Sequence, residues 1–176
     1  MQRILILVHD LYEDLELWYP KIRLEEEGFF TTIAGPEGNM IYQGKKGYPC
    51  LSHASIRDME SKAFSGLLIP GGFAPDKLRR DQKVLSLTQE FHKEKKCIAF
   101  ICHGGWVPIS AKILKGKKAT GTIAIKDDLE NAGAIWKDAP LVVDENLVSA
   151  RTPDDLPHFA KGMINVLKIQ QPSTKE

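Results

Sequence analysis

Cys102, His103, Gly104 and Gly105 follow without a break from an apolar run that starts at Cys97. The run has the length and composition of a strand buried on both faces. The residues after it place Val107, Ile109, Ile113 and Leu114 at helical spacing and stop at Gly116, which predicts a helix ending at Leu114. Cys102 then sits at a tight strand-to-helix turn, the layout that holds a nucleophile up at the end of a sheet. A helix N-terminus beside it favours thiolate over thiol. The competing reading is a small core hydrophobe, which most free cysteines are. These residues alone leave both open.

Other chemically useful groups recur at strand ends. Glu13 and Glu16 lie three apart at a helix start and share a face. They are ordinary first-turn acids, or they line a site beside a thiolate. In the second case repulsion leaves one carboxyl protonated, able to donate a hydrogen bond to sulfur. Pro70-Gly71-Gly72 leaves a strand with no side chains in the way. It is a plain glycine turn, or its Gly72 N–H joins that of His103 to hold an oxyanion. Consecutive residues at a helix start point about a third of a turn apart, so His103 is expected to be poorly placed to take the thiol proton. A third group is needed to orient it, and Asp76 is the nearest candidate by loop logic.

The elements that carry these residues alternate between strand and helix. Strands are expected at Arg3–Val8, Phe29–Ala34, Gly66–Ile69 and from Cys97, with short ones at 117–121, 134–136, 141–143 and 147–150. Helices are expected over 13–27, 76–95 and 153–169, with one or two turns at 127–132. Residues 40–53 read as a β-hairpin or excursion. The first helix has apolar residues on two sides: Leu11, Leu15, Trp18 and Ile22, then Leu17, Pro20 and Leu24. Such a helix is buried twice, against the sheet and against something else such as a second subunit. Pro20 is expected to kink it. The alternation implies an α/β fold with a parallel sheet covered on both faces and a site at the carboxyl ends of its strands. Residues 1–170 read as a single domain and 171–176 as a polar tail.

The chain has 176 residues, 24 Lys plus Arg and 23 Asp plus Glu. No basic stripe with interleaved aromatics occurs, which argues against nucleic acid as a partner. The apolar runs are too short for a membrane span, and no signal peptide is evident. The three cysteines, Cys50, Cys97 and Cys102, suggest reduced thiols in a cytoplasmic protein. No Cys-x-x-Cys or His-x-x-x-His pair supports a metal site. Cys50 and Cys97 read as structural.

The chain resembles the ThiJ/PfpI family, most closely its PfpI-type intracellular protease branch. The likeness runs through Y-E-D-L-E-L-W-Y-P (12–20), I-P-G-G-F-A-P-D-K-L-R (69–79), I-C-H-G (101–104), I-S-A-K-I-L-K-G-K-K (109–118), K-D-D-L-E-N-A-G-A (126–134) and the block 142–157. It implies a flavodoxin-like sheet related to class I glutamine amidotransferases. It implies Cys102 as nucleophile, His103 as its partner, Glu16 in contact with the cysteine and Glu13 lining the pocket with Gly71 and Gly104. It also implies a homo-oligomer, a dimer or hexamer, in which Asp76 of a neighbouring subunit orients His103. No cofactor is implied.

Two segments depart from the family pattern. Gly105-Trp106-Val107-Pro108 replaces a Gly-Pro start, so a proline falls inside the expected helix, where it is expected to remove a hydrogen bond and bend it; Trp106 reshapes the pocket mouth. Thr122-Ile123-Ala124 stands where protease-like members have Tyr-Pro-Gly, so a tyrosine hydroxyl is missing. The first functional reading is a PfpI-type cysteine hydrolase acting on peptides. The second is glyoxalase or deglycase chemistry on 2-oxoaldehydes, with Glu16 moving protons. The third is a stress chaperone or a thiol sensor oxidised at Cys102.

Overall fold

A computed structural model describes residues 2–170; the expected tail, 171–176, lies outside the described residues. The first half runs β1 (Arg3–Leu7), α1 (Asp14–Glu26), β2 (Phe30–Gly35), β3 (Ile41–Gln43), β4 (Pro49–Leu51), β5 (Ala54–Ser55), β6 (Gly66–Ile69), α2 (Ala74–Leu78) and α3 (Gln82–Lys93). The second half runs β7 (Cys97–Ile101), α4 (Trp106–Ser110), β8 (Lys118–Ala119), α5 (Lys126–Asn131), β9 (Ile135–Trp136), β10 (Val142–Asp144), β11 (Leu147–Ala150) and α6 (Leu156–Ile169).

A seven-stranded sheet has the order β10-β11-β7-β6-β1-β2-β5. Its pairings are parallel except that between β10 and β11. The apolar runs put β1, β6 and β7 at its centre, where their residues are buried on both faces, Arg3 excepted. The chain moves outward from β1 to β2 and β5, then returns to the other side of β1 as β6. That reversal is the switch point where α/β sheets open a crevice above their carboxyl ends. Helices flank the sheet in the flavodoxin-like arrangement, α1 packing on α6 and α3 on α4. β3 and β4 form the expected hairpin, with Tyr42 opposite Cys50 facing inward.

The structure corrects the sequence reading in two helices. Residues 76–95 are not one helix. α2 ends after Leu78, and α3 starts afresh because the Asp81 carboxylate accepts the Lys83 N–H as an N-cap. The helix after Cys102 begins as a 3₁₀ turn, Cys102–Gly105, and α4 then lasts only to Ser110. Lys112, at φ 59°, reverses the chain there and turns Ile113 and Leu114 into the core. Pro108 stands in the first turn of α4, where a missing N–H is tolerated, so the expected loss from a helix interior does not arise.

α1 is continuous through Pro20. It buries Leu17, Pro20 and Leu24, and each fully buried leucine contributes about 1.5–3 kcal/mol. Gly28, at φ 86°, ends it. The other apolar side faces solvent, with Leu15 57% and Ile22 51% exposed.

Candidate active site

The loops that leave β1, β6 and β7 meet above the switch point. Tyr12, completely buried, ties them together: it bridges Gly44 of the β3–β4 hairpin on one side and Gly72 on the other. Glu13 N-caps α1, its Oε2 accepting the Glu16 N–H at 2.9 Å. Glu16, in the first turn, is fully buried and points back beneath the loops. Its Oε2 accepts the Gly71 N–H at 2.7 Å. A Cβ on Gly71 would lie 2.9 Å from the Cys102 Cβ and closer still to Glu16 Oε2, so only glycine lets three loops approach this closely. Gly104 is confined likewise by the Ile69 carbonyl, 2.5 Å from where its Cβ would stand.

Cys102 is left-handed, at φ 57°. A non-glycine residue there carries backbone strain of about 1–3 kcal/mol, which the flanking strand and 3₁₀ turn hold in place. This conformation overturns the expected geometry of His103. Helical neighbours diverge, but across a left-handed residue the two side chains come together, with Sγ 3.3 Å from Nδ1. Burial, then Lys45, hold the His103 pKa below the ordinary imidazole value, so at neutral pH the ring is uncharged and able to accept a proton. Its ring packs edge-on against Trp106, centroids 5.0 Å apart. Trp106 is fixed in turn by Asp128, which accepts its Nε1–H at 2.8 Å, and by the Arg79 guanidinium over its ring.

The expectation of a resting thiolate is not met. Burial, followed by the Glu16 charge, pushes the Cys102 thiol up to about 12, despite a hydrogen bond to sulfur from the His103 N–H. α4 has only 5 residues, too short to offset this with its dipole. Burial, then the Glu13 charge, pushes Glu16 up to about 8, against the Gly71 hydrogen bond. Glu16 therefore keeps its proton at neutral pH, as expected for a crowded acid. It shares a hydrogen bond with Cys102, and its Oε1 is buried without a hydrogen-bond partner of its own.

The other predicted positions are placed as follows. Hydrogen bonds on either side of the Tyr12–Gly72 bridge come from Glu13 and Phe73, which leaves the Gly72 N–H outside the pairing. The His103 N–H is directed to sulfur, so only half of the expected oxyanion pair is free. Thr122 lies beside the turn, its N–H 3.5 Å from the Cys102 carbonyl. Asp76 pairs within the chain with Arg80. Two residues escaped the sequence reading. Tyr12 organises the loops, and Lys45, on the hairpin, acts electrostatically on Glu16, Cys102 and His103. The alternating pattern of the hairpin gave no hint that its tip reaches this site.

The fold and the cluster define a class: a switch-point α/β protein with a cysteine in a strained turn above its central strands. Within that class, the chain belongs to the DJ-1/PfpI family, whose description matches residues 2–166. It is 40% identical over 166 residues to "Deglycase TK1284" of Thermococcus kodakarensis, covering 94% of this chain and 99% of that one. It is 41% identical over 167 residues to "Putative cysteine protease YraA" of Bacillus subtilis, covering 95% and 99%. A two-domain protein of Anabaena variabilis with DJ-1/ThiJ/PfpI-like and ferritin-like domains superposes with a TM-score of 0.93 at 37% identity, covering 96% of this chain and 48% of that one.

Proposed function

We propose that the protein is a cysteine-dependent enzyme that adds water across 2-oxoaldehydes or their adducts, the chemistry of a glyoxalase or deglycase. The observation that carries this is the buried Glu16 carboxyl, pushed up to about 8, in hydrogen-bond contact with Cys102. In its ionised form, which gains population as pH approaches 8, a carboxylate so placed can take a proton from carbon next to a sulfur adduct and return it to the neighbouring carbon. His103 Nδ1 takes the thiol proton as sulfur bonds to the aldehyde carbon, and the proton passes to the former carbonyl oxygen. Glu16 then moves the C–H proton to the adjacent carbon while the hydroxyl proton passes to the neighbouring ketone oxygen, which converts the hemithioacetal into a 2-hydroxy thioester. Water cleaves the thioester to a 2-hydroxy acid and restores the thiol. Relatives named as deglycases support this reading.

Peptide hydrolysis is the second reading, favoured by the Sγ–Nδ1 contact of 3.3 Å and by the name of the Bacillus relative. The test is incubation with methylglyoxal and, separately, with a fluorogenic peptide. Lactate formed by the native protein and lost in both Cys102→Ser and Glu16→Gln supports the first reading. Peptide cleavage without lactate would replace it with the second.

We also propose a homo-oligomer assembled through the exposed side of α1, with Asp76 of a neighbouring subunit reaching His103. Leu15, Trp18 and Ile22 line a groove of about 670 Å³ with Tyr48 of the hairpin. An apolar face of this kind on a helix marks an interaction surface. Light scattering of the native protein and of Ile22→Glu tests it: a dimer or larger for the first, a smaller species for the second.

A further inference from the structure

We infer that Lys45 is a positioning residue of this site: its ammonium faces the Cys102, Glu16 and His103 cluster and stabilises the negative charge that forms on sulfur. The inference rests on Cys102 being the reactive group. The hairpin tip that carries Lys45 is built to hold still. Lys45 N–H donates to the Tyr12 carbonyl at 2.7 Å, one residue before Glu13. The Asp14 carboxylate accepts the Lys46 N–H at 2.8 Å and the Tyr48 N–H at 2.9 Å, which clamps the turn on both sides of Gly47. Gly44 packs so closely on that carboxylate that a Cβ there would collide with it. The Tyr12 hydroxyl donates to the Tyr48 carbonyl and accepts the Trp18 Nε1–H.

From this anchored base the side chain extends over Phe73, its Nζ 5.9 Å from the ring centroid. Phe73 directly follows Gly71-Gly72, so the cation bridges the hairpin and the lip of the site. Among the described residues Lys45 makes no ion pair with a carboxylate. Its charge is therefore not neutralised before it reaches the site.

The signs agree. The groups acting on Cys102 are Glu16 from α1, His103 from its own turn and Lys45 from the hairpin, while Glu13 acts on Glu16. Burial dominates each titration, and Lys45 opposes it at Cys102 and Glu16 while adding to it at His103. Each effect favours the form that proton removal needs: thiolate, carboxylate and neutral imidazole.

The test is the rate of Cys102 alkylation by iodoacetamide as a function of pH and salt, followed by mass spectrometry of the intact protein and its peptides. Lys45→Met is expected to slow alkylation at neutral pH about five- to tenfold, a shift of up to roughly one pH unit. Lys45→Arg is expected to stay within about twofold of the native rate, because the charge is kept. Added salt is expected to slow the native protein toward the Lys45→Met rate, because an exposed cation is screened; this arm needs no variant. Native and Lys45→Met proteins with the same profile and the same salt response would overturn the inference. A native protein whose Cys102 is unreactive at every pH would overturn the reading of Cys102 and that of Lys45 together.

Discussion

Cys97 and Cys102 mark the start of β7 and the turn at its end, and only one of them has chemistry around it. Cys97 is completely buried, and burial alone pushes its thiol up. Cys102 is pushed up as well, to about 12, but its surroundings are polar: a neutral imidazole on sulfur, a protonated carboxyl and a backbone N–H. Both sulfurs rest as thiols. What separates them is that Cys102 has an acceptor for its proton and is partly exposed. Reactivity here belongs to the turn and its partners, and the strand supplies rigidity.

The sharpest way to break that contrast is serine in place of each cysteine. Cys102→Ser is expected to lower turnover at least ~10³-fold. Cys97→Ser is expected to keep turnover per folded molecule and to lower stability by about 1–3 kcal/mol, because a hydroxyl would be buried unpaired. Denaturant titration and steady-state kinetics on the same preparations separate the two effects.

Next in size is Glu16→Gln, expected to lower turnover about 10²–10⁴-fold by removing the proton carrier. It also has a thermodynamic signature. The Glu16 pKa is raised on folding from 4.5 to about 8, so the native state holds a proton that the unfolded state releases. Its contribution is full below about 4.5 and is lost as pH rises toward and through 8. Unfolding free energy of the native protein should fall across that window, and Glu16→Gln should flatten the fall. Turnover should move the other way, climbing toward pH 8 as Glu16 ionises.

Much of this contrast was legible in the chain. The uninterrupted apolar runs fixed β1, β6 and β7, and alternation with helices brought Glu16, Gly71 and Cys102 to one end of the sheet. The rest depended on contacts that residue types do not announce. The break at Asp81 came from one local cap. The meeting of His103 with sulfur came from a positive φ at a cysteine, a conformation that no side chain there encodes. The raised Cys102 thiol came from burial first and then from the Glu16 carboxyl that α1 places beneath it. Tyr12 and Lys45 were invisible because their roles arise from long-range pairing with the hairpin.

The smallest effect concerns the shell around His103. Trp106→Phe keeps the ring contact but loses the hydrogen bond to Asp128. It is expected to change turnover about two- to fivefold and stability by about 1 kcal/mol, a normal cost for one part-exposed hydrogen bond.

The most direct test is competitive labelling of the native protein with iodoacetamide near neutral pH, with the modified residue identified by peptide mass spectrometry. Cys102 is expected to react first and at least ~10²-fold faster than Cys97 and Cys50, because both of those are completely buried whereas Cys102 is partly exposed and has the His103 ring at its sulfur to take the proton. Equal labelling of Cys102 and Cys97 would contradict the account.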